Sequence, residues 1–231
     1  AYREAKAKLF TLDSLKKAVI NKDDEYAVNL QRLLSPNVAV TTYGTKHPAD
    51  IRLISASFNR NGISLSVSCS GFKFSVDLPL FGTFNVENIL ATLATLESMG
   101  WSGEDISQSI GNLTGVPGRM ELVSKAGEPT VFLDYAHTPD GLRKSLRSIR
   151  EHFGRRKLTC LFGCGGDRDA SKRNLMGKIA SELSDTIILT NDNPRGESPE
   201  KIIRDISEGI SGSYLCELDS CLLYTSDAAD E

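Results

Sequence analysis

Apolar and polar residues follow two different rhythms along this chain, and the change falls near its middle. In the second half, three short apolar runs each end in a polar loop containing glycine or proline, and each loop opens an amphipathic stretch. Residues 130–135 run into Ala136-His137-Thr138-Pro139, and residues 157–162 run into Gly163-Cys164-Gly165-Gly166-Asp167-Arg168-Asp169. Residues 185–190 run into Asn191-Asp192-Asn193-Pro194-Arg195. Helical spacing follows each loop: Leu142, Leu146, Ile149 and Phe153, then Leu175, Ile179 and Leu183, then Ile202, Ile203, Ile206 and Ile210. Thr138-Pro139 and Ser198-Pro199-Glu200 read as helix starts, a capping hydroxyl followed by proline at the first helical position. Residues 214–218 predict a fourth strand. Strands alternating with helices of this length predict a mostly parallel sheet with right-handed crossovers.

The first half is patterned differently. A helix is expected over residues 1–10, a short strand over 18–20, a second helix over 25–34 and a strand over 38–42. Three alternating segments, 51–58, 63–69 and 72–78, predict an antiparallel meander. A long helix over 86–99 would bury Ile89, Leu90, Leu93, Leu96 and Met99 on one broad face. Gly111 to Gly118, with Gly115 and Pro117, reads as a linker. The expected division is therefore 1–117 and 118–220, within the α/β class.

Composition narrows the function classes. Apolar residues make up 40% and charged residues 25% of 231, so a sizeable soluble core is expected. A net charge of −3, with Lys and Arg dispersed, leaves no footprint for nucleic acid or an anionic membrane. No apolar run approaches the ~20 residues of a membrane helix. The charged start, Ala1-Tyr2-Arg3-Glu4-Ala5-Lys6, is neither a signal peptide nor an initiating Met, and reads as internal to a longer protein. The cysteines, Cys69, Cys160, Cys164, Cys216 and Cys221, form no C-x-x-C pair, which fits a reducing cytoplasm.

In an open parallel sheet the three loops gather at the carboxyl edge, where ligands bind. The backbone N–H groups of residues 163–166 could approach an anion closely, although the plainer reading is a tight turn. It is not the dinucleotide fingerprint, whose third glycine falls two residues later than Gly166. Arg168 at this loop and Arg195 at the next are two guanidinium forks, suited to carboxylate or phosphate. Asp192 and Asn193 flank the second fork, and Pro194 stiffens it. Asp134 could accept from a ribose hydroxyl or orient a metal-bound water, and His137 could donate to a phosphate. Asn85 and Asn88 would line the start of the long helix, or simply cap it. Lys6 and Lys8, on residue type alone, are a solvated face.

Seven stretches, taken together, resemble the Mur ligases, and specifically the MurE type that adds the third residue of the peptidoglycan stem peptide. They are residues 2–10 (Tyr2-Arg3-Glu4-Ala5-Lys6 onward), Val19-Ile20-Asn21-Lys22-Asp23-Asp24, Gly82-Thr83-Phe84-Asn85-Val86-Glu87-Asn88, Gly118-Arg119-Met120-Glu121, Asp134-Tyr135-Ala136-His137-Thr138-Pro139, residues 163–169 and Asp192-Asn193-Pro194-Arg195. The resemblance runs to about residue 215. It implies the later part of a central ATPase domain followed by a Rossmann-like C-terminal domain. It also implies that Lys6 is carbamylated and helps to hold Mg2+, and that Asn85, Asn88, Arg119, Asp134 and His137 surround ATP. Arg168, Asp192, Asn193, Pro194 and Arg195 would bind meso-diaminopimelate; the lysine-adding members depart from the D-N-P-R form. ATP would phosphorylate the γ-carboxylate of D-Glu in UDP-MurNAc-L-Ala-D-Glu, and the amine of diaminopimelate would attack the acyl phosphate, in the cytoplasm of a bacterium.

Two features depart from the family pattern. No G-x-x-x-x-G-K-[ST] phosphate loop occurs in the chain, and the family's late glycine-lysine-glycine-histidine-glutamate stretch is missing. Alone, the chain is therefore expected to be inactive. Residues 221–231 match nothing in the family and read as an adapter-like tail. The competing assignments are another Mur ligase or a folylpolyglutamate synthase, against which D-N-P-R argues, a nucleotide-binding oxidoreductase module with Asp192 on the ribose, against which the glycine spacing argues, and a non-catalytic binding module.

Overall fold

The computed structural model describes residues 2–125 and 127–219, so the expected tail at 221–231 lies outside the described residues. The chain divides into two compact units, Ala1–Gly115 and Val116–Glu231. The first opens with α1 (Tyr2–Ala7), which tightens into a 3-10 turn over Lys8–Thr11, in place of one continuous helix over 1–10. A five-stranded sheet follows in the order β1 (Lys17–Asn21), β2 (Ala39–Gly44), β3 (Ile51–Asn59), β4 (Gly62–Cys69) and β5 (Phe72–Leu78). The pairs β1–β2 and β2–β3 are parallel, whereas β3–β4–β5 is the expected antiparallel meander. α2 (Ala27–Leu33) joins β1 to β2.

α3 (Phe84–Ser98) buries Val86, Ile89, Leu90, Leu93 and Ala94 in a core shared with Ile51, Ile63, Leu65, Val67 and Leu78. The expected stripe fails at its last member. Met99 is 66% exposed, because the helix has ended at Ser98 and the chain turns away through Gly100, whose φ is +100°. The sequence pattern also overlooks α4 (Gly103–Ser109). This helix is set by a capping box in which Ser102 and Asp105 exchange side-chain-to-backbone hydrogen bonds, and Ile106 anchors it at 0% exposure.

In the second unit β8 (Thr159–Phe162), β9 (Thr186–Thr190) and β10 (Leu215–Glu217) form a parallel sheet in the order β10–β9–β8. The segment 130–135 is a correction to the expected topology. Only β7 (Phe132–Leu133) is strand, and it pairs antiparallel with β6 (Glu121–Leu122) in a separate two-stranded ribbon. The neighbouring backbone groups are engaged by that ribbon too, Val123 N–H donating to Val131 and Tyr135 N–H to Gly118.

The helix starts fall as the capping signals predict. Thr138 accepts from Gly141 N–H at the head of α5 (Pro139–Phe153), and Ser198 accepts from Lys201 N–H at the head of α7 (Pro199–Ser207). α6 (Ser171–Leu183) keeps Ile179 and Leu183 of the expected stripe against the core but not Leu175, which is 51% exposed; its buried residues are Arg173, Met176, Gly177, Ile179 and Ala180. Met176, Gly177 and Ala180 stand at i+3, i+4 and i+7 from Arg173, so the face that packs against α5 and α7 begins with a cation.

Candidate functional site

Two loops leave the carboxyl ends of the adjacent parallel strands β8 and β9, and they are sewn together. Gly166 N–H donates to the Asn193 carbonyl at 2.8 Å, and the Arg195 guanidinium donates to the Gly166 carbonyl at 2.7 Å. Asp167 N–H donates to Glu197 Oε1 at 2.7 Å, and Gly196 N–H donates to Asp167 Oδ2 at 3.0 Å. The glycines permit this approach. A Cβ on Gly166 would stand 1.8 Å from the Pro194 carbonyl oxygen, and one on Gly163 would stand 2.3 Å from that of Thr190. This corrects the anion-cradle expectation. Within residues 163–166 the Gly166 N–H is taken by a protein acceptor, as is the Asp167 N–H just beyond, so neither is open to an anion, and Gly163 and Gly166 serve close backbone packing.

What the sewn loops present is side chains. Arg168 is exposed at the tip of the first loop, Asp192 and Asn193 are exposed on the second, and Pro194 is half-buried between them. Asn193 Oδ1 accepts from Arg195 N–H at 3.3 Å. Arg195 keeps most of its five donors free for an acceptor after its bond to Gly166. Asp167 and Arg195 both lie in the left-handed region, at φ +50° and +51°. Residues other than glycine seldom adopt that conformation, and when they do the strain concentrates at functional sites.

Beneath the loops lies a residue that sequence reasoning missed. Arg173 is 0% exposed and forks onto Glu197, with Nη1–Oε2 at 2.9 Å and Nη2–Oε1 at 2.7 Å. It also reaches Asp205 Oδ2 on α7 at 2.7 Å. The hydrogen bonds from Arg173, and then from Asp167 N–H, hold the Glu197 carboxyl down at about 2. The available signal was a charge on the apolar face of a helix; Glu197, in a short polar loop, carried none. Cys164, inside the glycine loop, is 3% exposed, and burial pushes its thiol up, which disfavours the reactive thiolate.

A second cluster gathers the residues expected near a nucleotide. Asp134 accepts from Met120 N–H at 2.9 Å, Ala136 N–H at 3.1 Å and the Ser145 hydroxyl at 2.7 Å, which fixes it between the ribbon and α5. A carboxylate has about four acceptor sites, so little capacity remains for a ribose. The Arg119 guanidinium lies 4.8 Å above the Tyr135 ring, and that ring meets His137 edge-on at 5.2 Å. Arg119 and His137 are exposed, and Met120, beside Arg119, is again left-handed at φ +46°. Lys172, on the first turn of α6, donates to the His137 carbonyl at 2.8 Å. The loop after β7 is thus tied to α6, the helix that the first sewn loop opens.

In the first unit, Lys6 is exposed on α1. Asn85 and Asn88 lie within the first turns of α3 rather than at its cap, which is Thr83, so the capping alternative falls. Asn85 Nδ2 donates to the Phe81 carbonyl at 2.6 Å, and Asn88 Nδ2 donates to Asn85 Oδ1 at 3.0 Å. Asp23 is structural. Burial would raise its carboxyl, but hydrogen bonds from Thr45 and His47 outweigh that and hold it well below the carboxylate range. Among the described residues, no group of three or more His, Cys, Asp or Glu is arranged to hold a metal. No helix of the described residues is long and apolar enough to cross a membrane.

Comparison with known proteins follows this geometry. Residues 1–96 match the Mur ligase middle domain, and residues 118–228 match the Mur ligase glutamate ligase domain. A UDP-N-acetylmuramoyl-L-alanyl-D-glutamate–2,6-diaminopimelate ligase of Thermosynechococcus vestitus is 45% identical over 212 residues, covering 90% of this chain and 42% of that protein. Its counterpart from Gloeobacter violaceus is 44% identical, with 91% and 42% covered. The chain thus spans less than half the length of these relatives. A solved structure of such a ligase aligns over 99% of this chain and 48% of its own at a TM-score of 0.67 and 35% identity. A Mycobacterium tuberculosis folylpolyglutamate synthase solved with ADP aligns over 97% of this chain and 51% of its own at 0.74 but only 22% identity, a likeness of fold alone. With middle-domain and glutamate-ligase-domain sequence in tandem, on an α/β scaffold shared with a solved member, this chain belongs to the Mur ligases.

Proposed function

We propose that this chain carries the amino-acid-selecting part of an ATP-dependent ligase that joins meso-diaminopimelate to the D-Glu carboxylate of UDP-MurNAc-L-Ala-D-Glu in bacterial cytoplasm. One observation carries the reading: Arg195, in Asp192-Asn193-Pro194-Arg195, is held by the Gly166 carbonyl on the loop that also presents Arg168. The sequence identity to diaminopimelate ligases supports it. Diaminopimelate bears a carboxylate at the end where lysine has only hydrogen. A guanidinium gains a two-pronged ion pair with the first and is left unpaired by the second.

For the nucleotide, Arg119 and His137 offer exposed donors, while Asp134 keeps their loop in place. Asn85 and Asn88 offer amide groups from α3. Magnesium is commonly held by one or two carboxylates together with substrate phosphates and waters. A carbamylated Lys6 would fit the role of one such ligand. ATP and magnesium would supply the activation of the D-Glu carboxylate.

The test is ADP release by the complete protein, with ATP and UDP-MurNAc-L-Ala-D-Glu, across a set of amines. Turnover should require meso-diaminopimelate. Preferential turnover with L-lysine, D-alanyl-D-alanine or glutamate would overturn the reading in favour of another ligase on the same scaffold.

A further inference from the structure

We propose that Glu197 is a positioning residue for the amine substrate: its carboxylate, locked by the buried Arg173 fork, sets the pose of both loops that carry Arg168 and Arg195. This rests on the reading of those loops as the amino-acid site. The carboxylate is the only described group that bonds the first loop, at Asp167 N–H, while belonging to the second and being anchored on α6 through Arg173. Lys201, one helical turn on, adds an ion pair at 3.2 Å.

A fully buried guanidinium must keep its partners, because an uncompensated buried charge is strongly destabilising. Arg173 therefore cannot give up Glu197 cheaply, and Glu197 in turn cannot release Asp167. Asp167 and Arg195 each adopt a left-handed backbone beside or at a cation, at φ +50° and +51°. Such conformations persist only where the surroundings over-determine them. Here the surroundings are the Glu197 and Asp167 carboxylates, which accept from Asp167 N–H and Gly196 N–H, and the Gly166 carbonyl, which accepts from the Arg195 guanidinium. Removing the Glu197 anchor should let both guanidinium groups drift, while Asp205 and the Gly165 carbonyl, at 2.7 and 3.4 Å, remain as partners for the buried Arg173.

Asp205 provides the discriminating control. It is the second carboxylate on Arg173, at 2.7 Å, but it lies on α7 and bonds neither loop. If Glu197 acts only through fold stability, Asp205→Asn and Glu197→Gln should behave alike. If it positions, they should differ.

The experiment measures KM for each substrate in the complete enzyme, together with backbone hydrogen exchange over residues 163–169, for wild type, Glu197→Gln, Glu197→Asp and Asp205→Asn. Misplacing a binding group by about 1 Å can cost on the order of 100-fold, so Glu197→Gln should raise the KM for diaminopimelate at least about tenfold and leave that for ATP within about twofold. Exchange at Gly166 should accelerate, and Asp205→Asn should change neither quantity. If Glu197→Gln does not fold, Glu197→Asp keeps the charge for Arg173 but is too short to hold Asp167 as well, and should give the same split. Equal effects of the Asp205 and Glu197 variants, a parallel rise in every KM, or unchanged exchange at Gly166 would overturn the proposal. If wild type prefers another amine, the functional reading fails separately, and the KM split and the exchange are read with that amine.

Discussion

Arg195 pairs an unfavourable backbone with a well-fixed head group. Its φ of +51° is a region in which a Cβ meets the following carbonyl, at a cost of roughly 1–2 kcal/mol, and glycine escapes that cost. The chain with Arg195→Gly should therefore be more stable than the chain with Arg195→Ala by about 1 kcal/mol, or roughly 2–4 °C in Tm. Thermal unfolding of the two variants checks this, and a higher Tm for the alanine variant would mean that the left-handed conformation is not adopted. The same residue marks the limit of legibility at this scale. Arg168 and Arg195 are readable from the sequence because strand-end cations at a carboxyl edge have a chemical meaning. Arg173 and Glu197, which we propose position them, are not, because the two lie 24 residues apart on different elements. Only folding makes a helix-face arginine and a loop glutamate neighbours. The glycines of residues 163–166 were legible as important but for an incomplete reason: their lack of a Cβ admits the Pro194 and Thr190 carbonyls.

α6 and α7 show how closely two elements can pack when one residue has no side chain. A Cβ on Gly177 would stand 2.1 Å from the Ile206 carbonyl oxygen on α7. Alanine normally gains about 1 kcal/mol over glycine inside a helix, but overpacking a closed core costs about 1–3 kcal/mol, and here the obstacle is backbone that cannot rotate away. Gly177→Ala should therefore destabilise the chain by about 1–2 kcal/mol in denaturant unfolding. A stabilised variant would mean that α7 is free to shift. Periodicity and capping chemistry located α3, α5, α7 and the meander well, since each is specified by its own residues. They failed where the partner decides. Residues 130–135 have the composition of a sheet strand, yet their hydrogen bonds go to residues 118–123, and α4 was overlooked although Ser102 and Asp105 spelled its cap. The misplaced Leu175 of α6 had the same origin, because a cation at the head of the buried face hid its first turn from a purely apolar count.

Across the molecule the net charge is −3 at neutral pH, but acid would protonate the 30 Asp and Glu and leave 27 Lys and Arg with 3 His, so general repulsion grows on acidification and particular carboxylates add their own pH dependence to it. Glu197 titrates at about 2 in the folded chain, against 4.5 for an unperturbed glutamate. Because its folded value is depressed, its contribution is complete above pH 4.5 and is lost as pH falls through about 2. Unfolding free energy should decline over that window, and Glu197→Gln should flatten the decline; superimposable pH profiles would remove Glu197 from the account. The α/β scaffold itself does not select a substrate, since a folylpolyglutamate synthase aligns at a TM-score of 0.74 and a diaminopimelate ligase at 0.67. On the reading proposed here selection rests on the two sewn loops, and the most direct measurement is kcat/KM for meso-diaminopimelate and for L-lysine in the complete enzyme, wild type against Arg195→Ala. Truncating one partner of a hydrogen-bonded charge pair costs about 2–5 kcal/mol, so the mutant should lose on the order of 30-fold or more with diaminopimelate and far less with lysine, and the preference ratio should shrink. An equal loss with both amino acids would contradict the assignment, making Arg195 a support for the fold or for the end that the two substrates share.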